Sequence, residues 1–378
     1  MSSSTAQVDT VLLKVASRCN IDCTYCYVYN MGDEGWRGMP ALMSDATVDA
    51  LCQRLSELAR AQSRKFAIVL HGGEPMMMGP RRLKKLLIAL RGVLSSDYPI
   101  AIQSNGLLLT KEVLDVCDEA DVSLSISIDG PEEVHDRFRV GKKGQGTHGQ
   151  TRAGITLLKA HPSTERLFSG VLAVIDPGSS PAEVYAYLTS LGSPSIDFLY
   201  RDGNHSVLPY GKAAAQSVEY GRWLEVVLDR YLADPNPPKI RFLDDLIKLV
   251  LGGKGVKEGL GEMDYGILIV DTDGSITKND TLKSTQPGGD RFEQAWSVYT
   301  HRFSEVVRSE EFARYHEIQR PTASKCCSCA ELSVCGGGMP LHRWSQADGL
   351  NNPSVYCADQ LHIIGSIRNR LRSEGLTA

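Results

Sequence analysis

The sequence predicts an α/β fold in which parallel strands lie side by side, either doubly wound or curved into a partial barrel. Six short apolar runs carry that prediction, at 8–16, 65–71, 98–104, 122–128, 167–175 and 195–200. Longer segments with apolar residues at helical spacing lie between them, near 45–62, 80–94, 110–119, 149–160 and 181–191. Crossovers of that length bring consecutive strands parallel. In both versions of such a fold the chemistry gathers at the C-terminal strand ends.

Ser44 and Thr110 stand where N-caps are expected for the helices near 45–62 and 110–119. After residue 200 the alternation stops. Residues 201–211 read as loop, 213–233 and 240–251 as helices, and 251–261 as a glycine-rich connector. Residues 265–282 look like a hairpin with Asp273-Gly274 at its turn. From 358 the tail carries Leu361, Ile364, Ile367 and Leu371 at helical spacing.

The 378 residues include 41 lysines plus arginines and 45 aspartates plus glutamates, a net charge of −4. A protein built to hold nucleic acid normally carries a basic excess, so no nucleic-acid partner is expected. No apolar run reaches the ~18 residues that span a bilayer, and MSSSTAQVDT lacks the basic start and apolar stretch of a signal peptide. The expectation is a cytoplasmic protein with no membrane partner.

Most of the ten cysteines fall in two clusters. In a reducing compartment such clusters point to metal or catalysis rather than to disulfides. Cys52 and Cys117 lie instead on apolar helical faces and read as buried core residues. Cys19, Cys23 and Cys26 follow the first strand as CxxxCxxC. Three thiolates satisfy three irons of a [4Fe–4S] cube and leave the fourth open to a ligand with an amine and a carboxylate. A structural zinc site would instead recruit a fourth protein ligand.

With Tyr25 before its third cysteine, this loop resembles the signature of radical S-adenosylmethionine (SAM) enzymes. Other marks of that family stand at the ends of successive strands. Gly72-Gly73-Glu74-Pro75, after His71, resembles the motif that holds the SAM ammonium. Gln103, Ser104 and Asn105 end the third strand. Ser127 and Asp129 end the fourth and are followed by Arg139, similar to the serine and arginine that hold the ribose and carboxylate of SAM. Val174, ending the fifth, joins the same implied pocket. The resemblance selects the barrel: α/β, a partial (β/α)6 TIM-like barrel with a C-terminal iron–sulfur extension. It implies a barrel domain over 1–205, a helical bridge over 206–260 and an auxiliary-cluster domain over 261–378.

Cys326, Cys329 and Cys335, with Cys357 further on, are similar to the SPASM extension of radical SAM peptide-modifying enzymes, whose full pattern binds two auxiliary clusters. Here the pattern is incomplete. Gly274 is followed by Asn279 where the family has GxxxxC, Met339 ends the cysteine run, and no cysteine lies between 118 and 325. Those losses strike the first auxiliary cluster. The resemblance thus implies one auxiliary [4Fe–4S] cluster on Cys326, Cys329, Cys335 and Cys357, with zinc on the same thiolates as the alternative. Cys327 reads as a spare.

Cys335-Gly336-Gly337-Gly338 with His342-Arg343, the run from Asn352 to Asp359, and Asp197-Phe198-Leu199 with Asp202 to His205 are similar to maturases of ribosomal peptides that close a cyclophane. The implied activity is SAM cleavage to a 5′-deoxyadenosyl radical, hydrogen abstraction from a precursor peptide with a leader, and addition of the carbon radical to an aromatic ring. An electron donor such as flavodoxin or ferredoxin is implied with it. Asp280, directly after Asn279, matches the aspartate that acts as base in sulfatase-type maturases, with an ordinary turn or cap as the alternative. Thioether-forming and formylglycine-forming (sulfatase-type) maturases are the rival activities. A non-catalytic iron–sulfur or zinc module is the rival of another class. About seven residues precede the first strand, so the leader is expected to dock on the barrel, the extension or a separate protein.

Three further patterns read as structure. Gly144 to Gly149 fits GxGxxG without a strand directly before it, and His316-Glu317 starts a zincin motif that Arg320 breaks. Met76, Met77 and Met78 read as packing residues.

Overall fold

A computed structural model of the chain describes residues 7–375. The described chain forms two compact units. The first comprises the chain up to Ser127, Asp136–Ser169 and Tyr265–His316; the second comprises Ile128–His135, Gly170–Asp264 and the chain from Glu317 on. The fold class is the expected one, an α/β partial barrel of parallel strands with a C-terminal extension.

In the first unit, β1 (Thr10–Ala16), β2 (Ala67–Gly72), β3 (Ile100–Ser104) and β4 (Val122–Ser127) pair in parallel, each with the next. Their order runs one way without reversal, as in a barrel. A doubly wound sheet would reverse at a switch point. The crossovers are α1 (Asp45–Ala61), α2 (Gly79–Val93) and α3 (Lys111–Glu119). Ser44 Oγ accepts from the Thr47 N–H at 3.1 Å and Thr110 Oγ1 from the Val113 N–H at 3.2 Å, so both expected caps form. Cys52 and Cys117 sit in the cores beneath α1 and α3. Burial pushes both thiols up, Cys52 to about 11 and Cys117 to about 12.

The expected hairpin forms as β8 (Ile267–Val270) and β9 (Ser275–Thr277), turning at Gly274 with φ +86°. What the sequence reading missed is its docking. β8 pairs in parallel with β1, Leu12 opposite Ile269 and Leu13 opposite Val270, and β10 (Trp296–Ser297) adds antiparallel to β9. Strand β1 is thus covered on both edges, and Lys14 within it is 3% exposed. Its ammonium lies 2.6 Å from Asp280 and 3.5 Å from Asp271. Lys283 lies 3.5 Å from Asp280 and 3.4 Å from Asp290.

In the second unit, β5 (Phe168–Val174), β6 (Ser195–Leu199) and β7 (Lys239–Ile240) run parallel, followed in the chain by α7 (Pro181–Ser190), α8 (Glu219–Ala233) and α9 (Arg241–Val250). The helix expected from 213 begins only at Glu219. Residues 212–217 turn instead, because the Lys212 ammonium reaches inward to the Ser217 carbonyl at 2.6 Å and Asp359 at 2.5 Å. Asp359 lies on the C-terminal helix Cys357–Ser373, and its other oxygen accepts from the Gly221 N–H of α8 at 2.8 Å. A Cβ at Gly221 would come 2.9 Å from the Asp359 carbonyl, so glycine sets how closely these two helices approach. Among the described residues no helix is long and apolar enough to cross a membrane.

Removing one partner of a buried ion pair leaves the other charge uncompensated, at a cost of about 3–5 kcal/mol. Lys14→Met should therefore lower unfolding stability by about that amount in urea titration. A loss under about 1 kcal/mol would show that the pair contributes little.

Candidate active site

The loop after β1 carries Cys19, Cys23 and Cys26, and the backbone of 138–141 holds it in place. Asp22 N–H donates to the Val140 carbonyl at 2.7 Å and Thr24 N–H to the Phe138 carbonyl at 2.9 Å. Asn30 closes the turn, its N–H donating to the Cys26 carbonyl at 2.8 Å and its side-chain amide to the Cys23 carbonyl at 2.8 Å. Cys23 is buried and the other two partly so. Burial, aided by Glu74, Cys23 and Cys26 and opposed by a backbone hydrogen bond at Ile21, pushes the Cys19 thiol up to about 12. Burial, then Cys23, pushes Cys26 up to about 11. Metal binding must displace these protons and so couples to pH. Among the described residues, no three His, Cys, Asp or Glu side chains are placed to hold a single metal ion. The thiolates of a [4Fe–4S] cube bind separate irons and are not gathered around one ion.

The end of β2 passes directly over this loop. Gly73 N–H donates to the Ala16 carbonyl at 2.7 Å and Glu74 N–H to the Arg18 carbonyl at 3.0 Å. A Cβ on Gly72, whose φ is +123°, would stand 2.1 Å from the Ala16 oxygen. One on Gly73 would stand 2.1 Å from the Tyr29 hydroxyl and 2.2 Å from the Arg18 oxygen. Two glycines are therefore a steric requirement of this crossing. Pro75 opens the short helix Pro75–Met78, where Met76 and Met78 are buried as expected and Met77 is exposed.

Glu74 is enclosed. One oxygen accepts from Ser104 Oγ at 2.8 Å and the Met76 N–H at 3.0 Å, the other from the Asn105 N–H at 2.8 Å. Burial raises its pKa, and these hydrogen bonds and Arg139 oppose the rise. A carboxylate offers about four acceptor positions, so three bonds leave room for one more donor, such as an ammonium. The Asn105 side-chain amide donates to Asn20 Oδ1 at 2.8 Å and reaches Cys19 Sγ at 3.8 Å. Gln103 Nε2 donates to Ser127 Oγ at 2.8 Å, and Arg139 to the Tyr25 hydroxyl at 2.9 Å. The first unit thus gathers the three cysteines, Tyr25, Gly72 to Pro75, Gln103 to Asn105, Ser127 and Arg139. Asp129 and Val174 belong to the second unit, where the Asp129 carboxylate accepts from the Val174 N–H at 3.1 Å.

Asp280 is 2% exposed and opens the short helix Asp280–Ser284, which Asn279 caps by accepting from the Thr281 N–H at 3.0 Å. Burial would raise its pKa, but Lys14 and Lys283 outweigh that and hold it below the usual carboxylate range. Lys14 and Lys283 were not foreseen as site neighbours. The available signal was a lysine in the otherwise apolar run Val11-Leu12-Leu13-Lys14-Val15-Ala16.

In the second unit Cys326 and Cys335 lie on two short helices, Cys329 in the turn between them and Cys357 at the start of the C-terminal helix. Burial, aided by Cys357, Cys326 and Cys329 and opposed by a backbone hydrogen bond at Gly337, pushes Cys335 up to about 12, so its thiol lies within range of the charge of the other three. Gly336, Gly337 and Gly338 all have positive φ, at +67°, +82° and +71°. Side chains there would strike the Gly261 oxygen at 2.2 Å and Pro321 at 2.5 Å, or press Ser354 at 3.1 Å. Cys327 is exposed and stands apart from the buried Cys326 beside it.

Residues 13–187 match the Radical SAM superfamily. The chain is 23% identical to a cysteine-type anaerobic sulfatase-maturating enzyme of Clostridium perfringens, over 92% of this chain and 93% of that one. It is 24% identical to a serine-type anaerobic sulfatase-maturating enzyme of Bacteroides thetaiotaomicron, over 91% and 85%. Its fold matches native anSMEcpe with bound AdoMet at a TM-score of 0.82 and 20% identity, covering 97% and 98% of the two chains. It also matches Streptococcus suis SuiB bound to its precursor peptide SuiA at 0.62 and 13%, covering 89% and 72%. SAM and [4Fe–4S] clusters are the cofactors of this superfamily. The three-thiol loop and the glycine crossing above it suit that pair.

Losing a charged hydrogen bond in an enclosed site costs roughly ten- to a hundred-fold in affinity. Glu74→Gln should weaken SAM binding by about that factor in calorimetry while iron content stays at the wild-type level. Unchanged affinity would remove Glu74 from SAM recognition.

Proposed function

Starting from a radical SAM domain over residues 13–187, we propose that this chain is a peptide maturase that joins an aromatic ring carbon to the β-carbon of a nearby residue in a ribosomally made precursor peptide. In this reading Cys19, Cys23 and Cys26 hold the SAM-binding cluster. Tyr25, Gly72 to Pro75, Gln103 to Asn105, Ser127 and Arg139 shape the SAM site. Bound SAM supplies a carbon-centred radical that removes a peptide hydrogen, chemistry no side chain can provide. Cys326, Cys329, Cys335 and Cys357 would hold one auxiliary cluster, which would supply an electron acceptor for ring closure. Asp280 serves removal of the ring proton.

The observation that carries the reading is the state of position 279. Asn279 spends its side chain capping a short helix, and the aspartate beside it keeps a buried place against Lys14. A carboxylate retained where the metal ligand is lost is what proton removal, rather than a second auxiliary cluster, would need. A formylglycine-forming activity is the second reading, supported by similarity to two sulfatase-maturating enzymes along nearly the whole chain.

Three expected outcomes follow from these assignments. Anaerobic reconstitution should load about eight irons per chain, and alanine at Cys19, Cys23 and Cys26 should leave about four with no SAM cleavage. About twelve irons would reveal a further cluster, and one zinc with about four irons would assign the second thiol set to zinc. Incubated with SAM, a reductant and the precursor, the wild type should remove two hydrogens per ring without creating an aldehyde that reacts with a hydrazide; an aldehyde product would establish the second reading. Asp280→Asn should keep its iron and form 5′-deoxyadenosine, yet give only a small residue of crosslinked peptide. Crosslinking at the wild-type rate would exclude Asp280.

A further inference from the structure

We propose, resting on the ring-closing reading above, that His71 is the group that receives the ring proton and that Asp280 acts through it as a positioning carboxylate. A base must come within ~3 Å of the proton it takes, directly or through one water. Asp280 is poorly placed for that. It is 2% exposed, with Lys14 at 2.6 Å on one oxygen and Lys283 at 3.5 Å on the other. His71 is partly exposed. It stands opposite Lys14 in the β1–β2 register and directly before the Gly72-Gly73-Glu74 crossing over the cysteine loop. That position puts it in the unit, and at the strand end, that carry the SAM motifs.

The His71 ring has a second telling feature. Its Nδ1 is enclosed and has no hydrogen-bond partner among the described residues. The charged groups within electrostatic range of the ring are Lys14, its register partner on β1, and Asp280, which lies 2.6 Å from Lys14. Burial and Lys14 favour the neutral imidazole, while Asp280 favours the protonated form. Neutral His71 is the form able to accept a proton, and Asp280 stabilises the imidazolium that results. The carboxylate's enclosure between two lysines keeps it ionised for that purpose.

The step balances. The peptide carbon radical forms a C–C bond to the aromatic ring. The adduct then loses its ring hydrogen as a proton to His71 and one electron to an oxidised iron–sulfur cluster, and aromaticity returns. The imidazolium afterwards gives its proton to water.

The test uses the full-length reconstituted enzyme with its precursor peptide. His71→Gln should keep iron content, SAM affinity and 5′-deoxyadenosine formation, while crosslinked peptide per 5′-deoxyadenosine falls about a hundred-fold or more, the lower end for loss of a positioned base. In the wild type, crosslinking should rise with pH to a plateau as the imidazole loses its proton. His71→Gln should lack that limb, and Asp280→Asn should move it to lower pH by removing the charge that stabilises the imidazolium. Titration of the His71 ring by NMR, independent of turnover, should show the same shift to lower pH in Asp280→Asn. If His71→Gln crosslinks normally with the limb intact, the proposal is wrong even though ring closure stands. If NMR shows no shift, the Asp280 coupling is wrong. If wild type forms no crosslink, the ring-closing reading fails and this proposal with it.

Discussion

The first unit depends on one close approach. The end of β2 crosses the cysteine loop at a separation that admits only hydrogen on the Cα atoms of Gly72 and Gly73, with Gly73 N–H bonded to the Ala16 carbonyl at 2.7 Å. Everything polar in the site is placed relative to that crossing. Glu74 follows it and is bonded by Ser104 and Asn105 at the end of β3. The Asn105 side chain then reaches back to Asn20 and Cys19 in the loop beneath. Three strand ends are thus bound into one network whose spacing is set by two absent side chains.

Beside that crossing lies a group of charges taken out of water. Lys14, Asp271, Asp280, Lys283 and Asp290 are each less than a tenth exposed. Burial opposes charge on both Lys14 and Asp280, and their opposite charges outweigh it: the lysine is held above its ordinary value and the aspartate below. Asp280 therefore contributes stability at pH above the usual carboxylate value and loses it as pH falls. Lys14 contributes below the usual lysine value and loses it only as pH rises past that value. The Lys14–Asp280 pair is complete across neutral pH, and it ties the segment after the β8–β9 hairpin to β1.

The second unit uses a different device, an aromatic and ionic frame around its thiols. Tyr200 and Tyr356 stack at 4.3 Å, with Tyr220 and His342 packed edge-on against Tyr356 at 5.0 and 4.9 Å. Many residues of the peptide-maturase pattern serve this frame. Arg343 donates to the Ile318 and Gln319 carbonyls, Asn352 to the Arg343 carbonyl at 3.0 Å, and His205 meets the Pro353 carbonyl at 2.8 Å. Asp197 pairs with Lys257 at 2.8 Å, and Asp359 with Lys212. Tyr356 and Asp359 flank Cys357, so the stack and the Lys212 pair fix the start of the C-terminal helix that carries it.

The sequence by itself determined what depends on neighbours in the chain. Alternating apolar runs fix strands and helices within a few residues, Ser44 and Thr110 fix helix starts through bonds three residues away, and Asp273-Gly274 fixes a turn. The cysteine spacings and the strand-end motifs were legible for the same reason, since each is a short local pattern. Only the tertiary structure decided the pairings between distant segments. That β8 docks on β1, that Lys14 meets Asp280, and that helix 213–233 gives up its first turn so Lys212 can reach Asp359 all depend on which groups are buried together. A lysine in an apolar strand signals that a buried partner must exist, because an unpaired charge there is too costly, but the identity of that partner is a property of the fold.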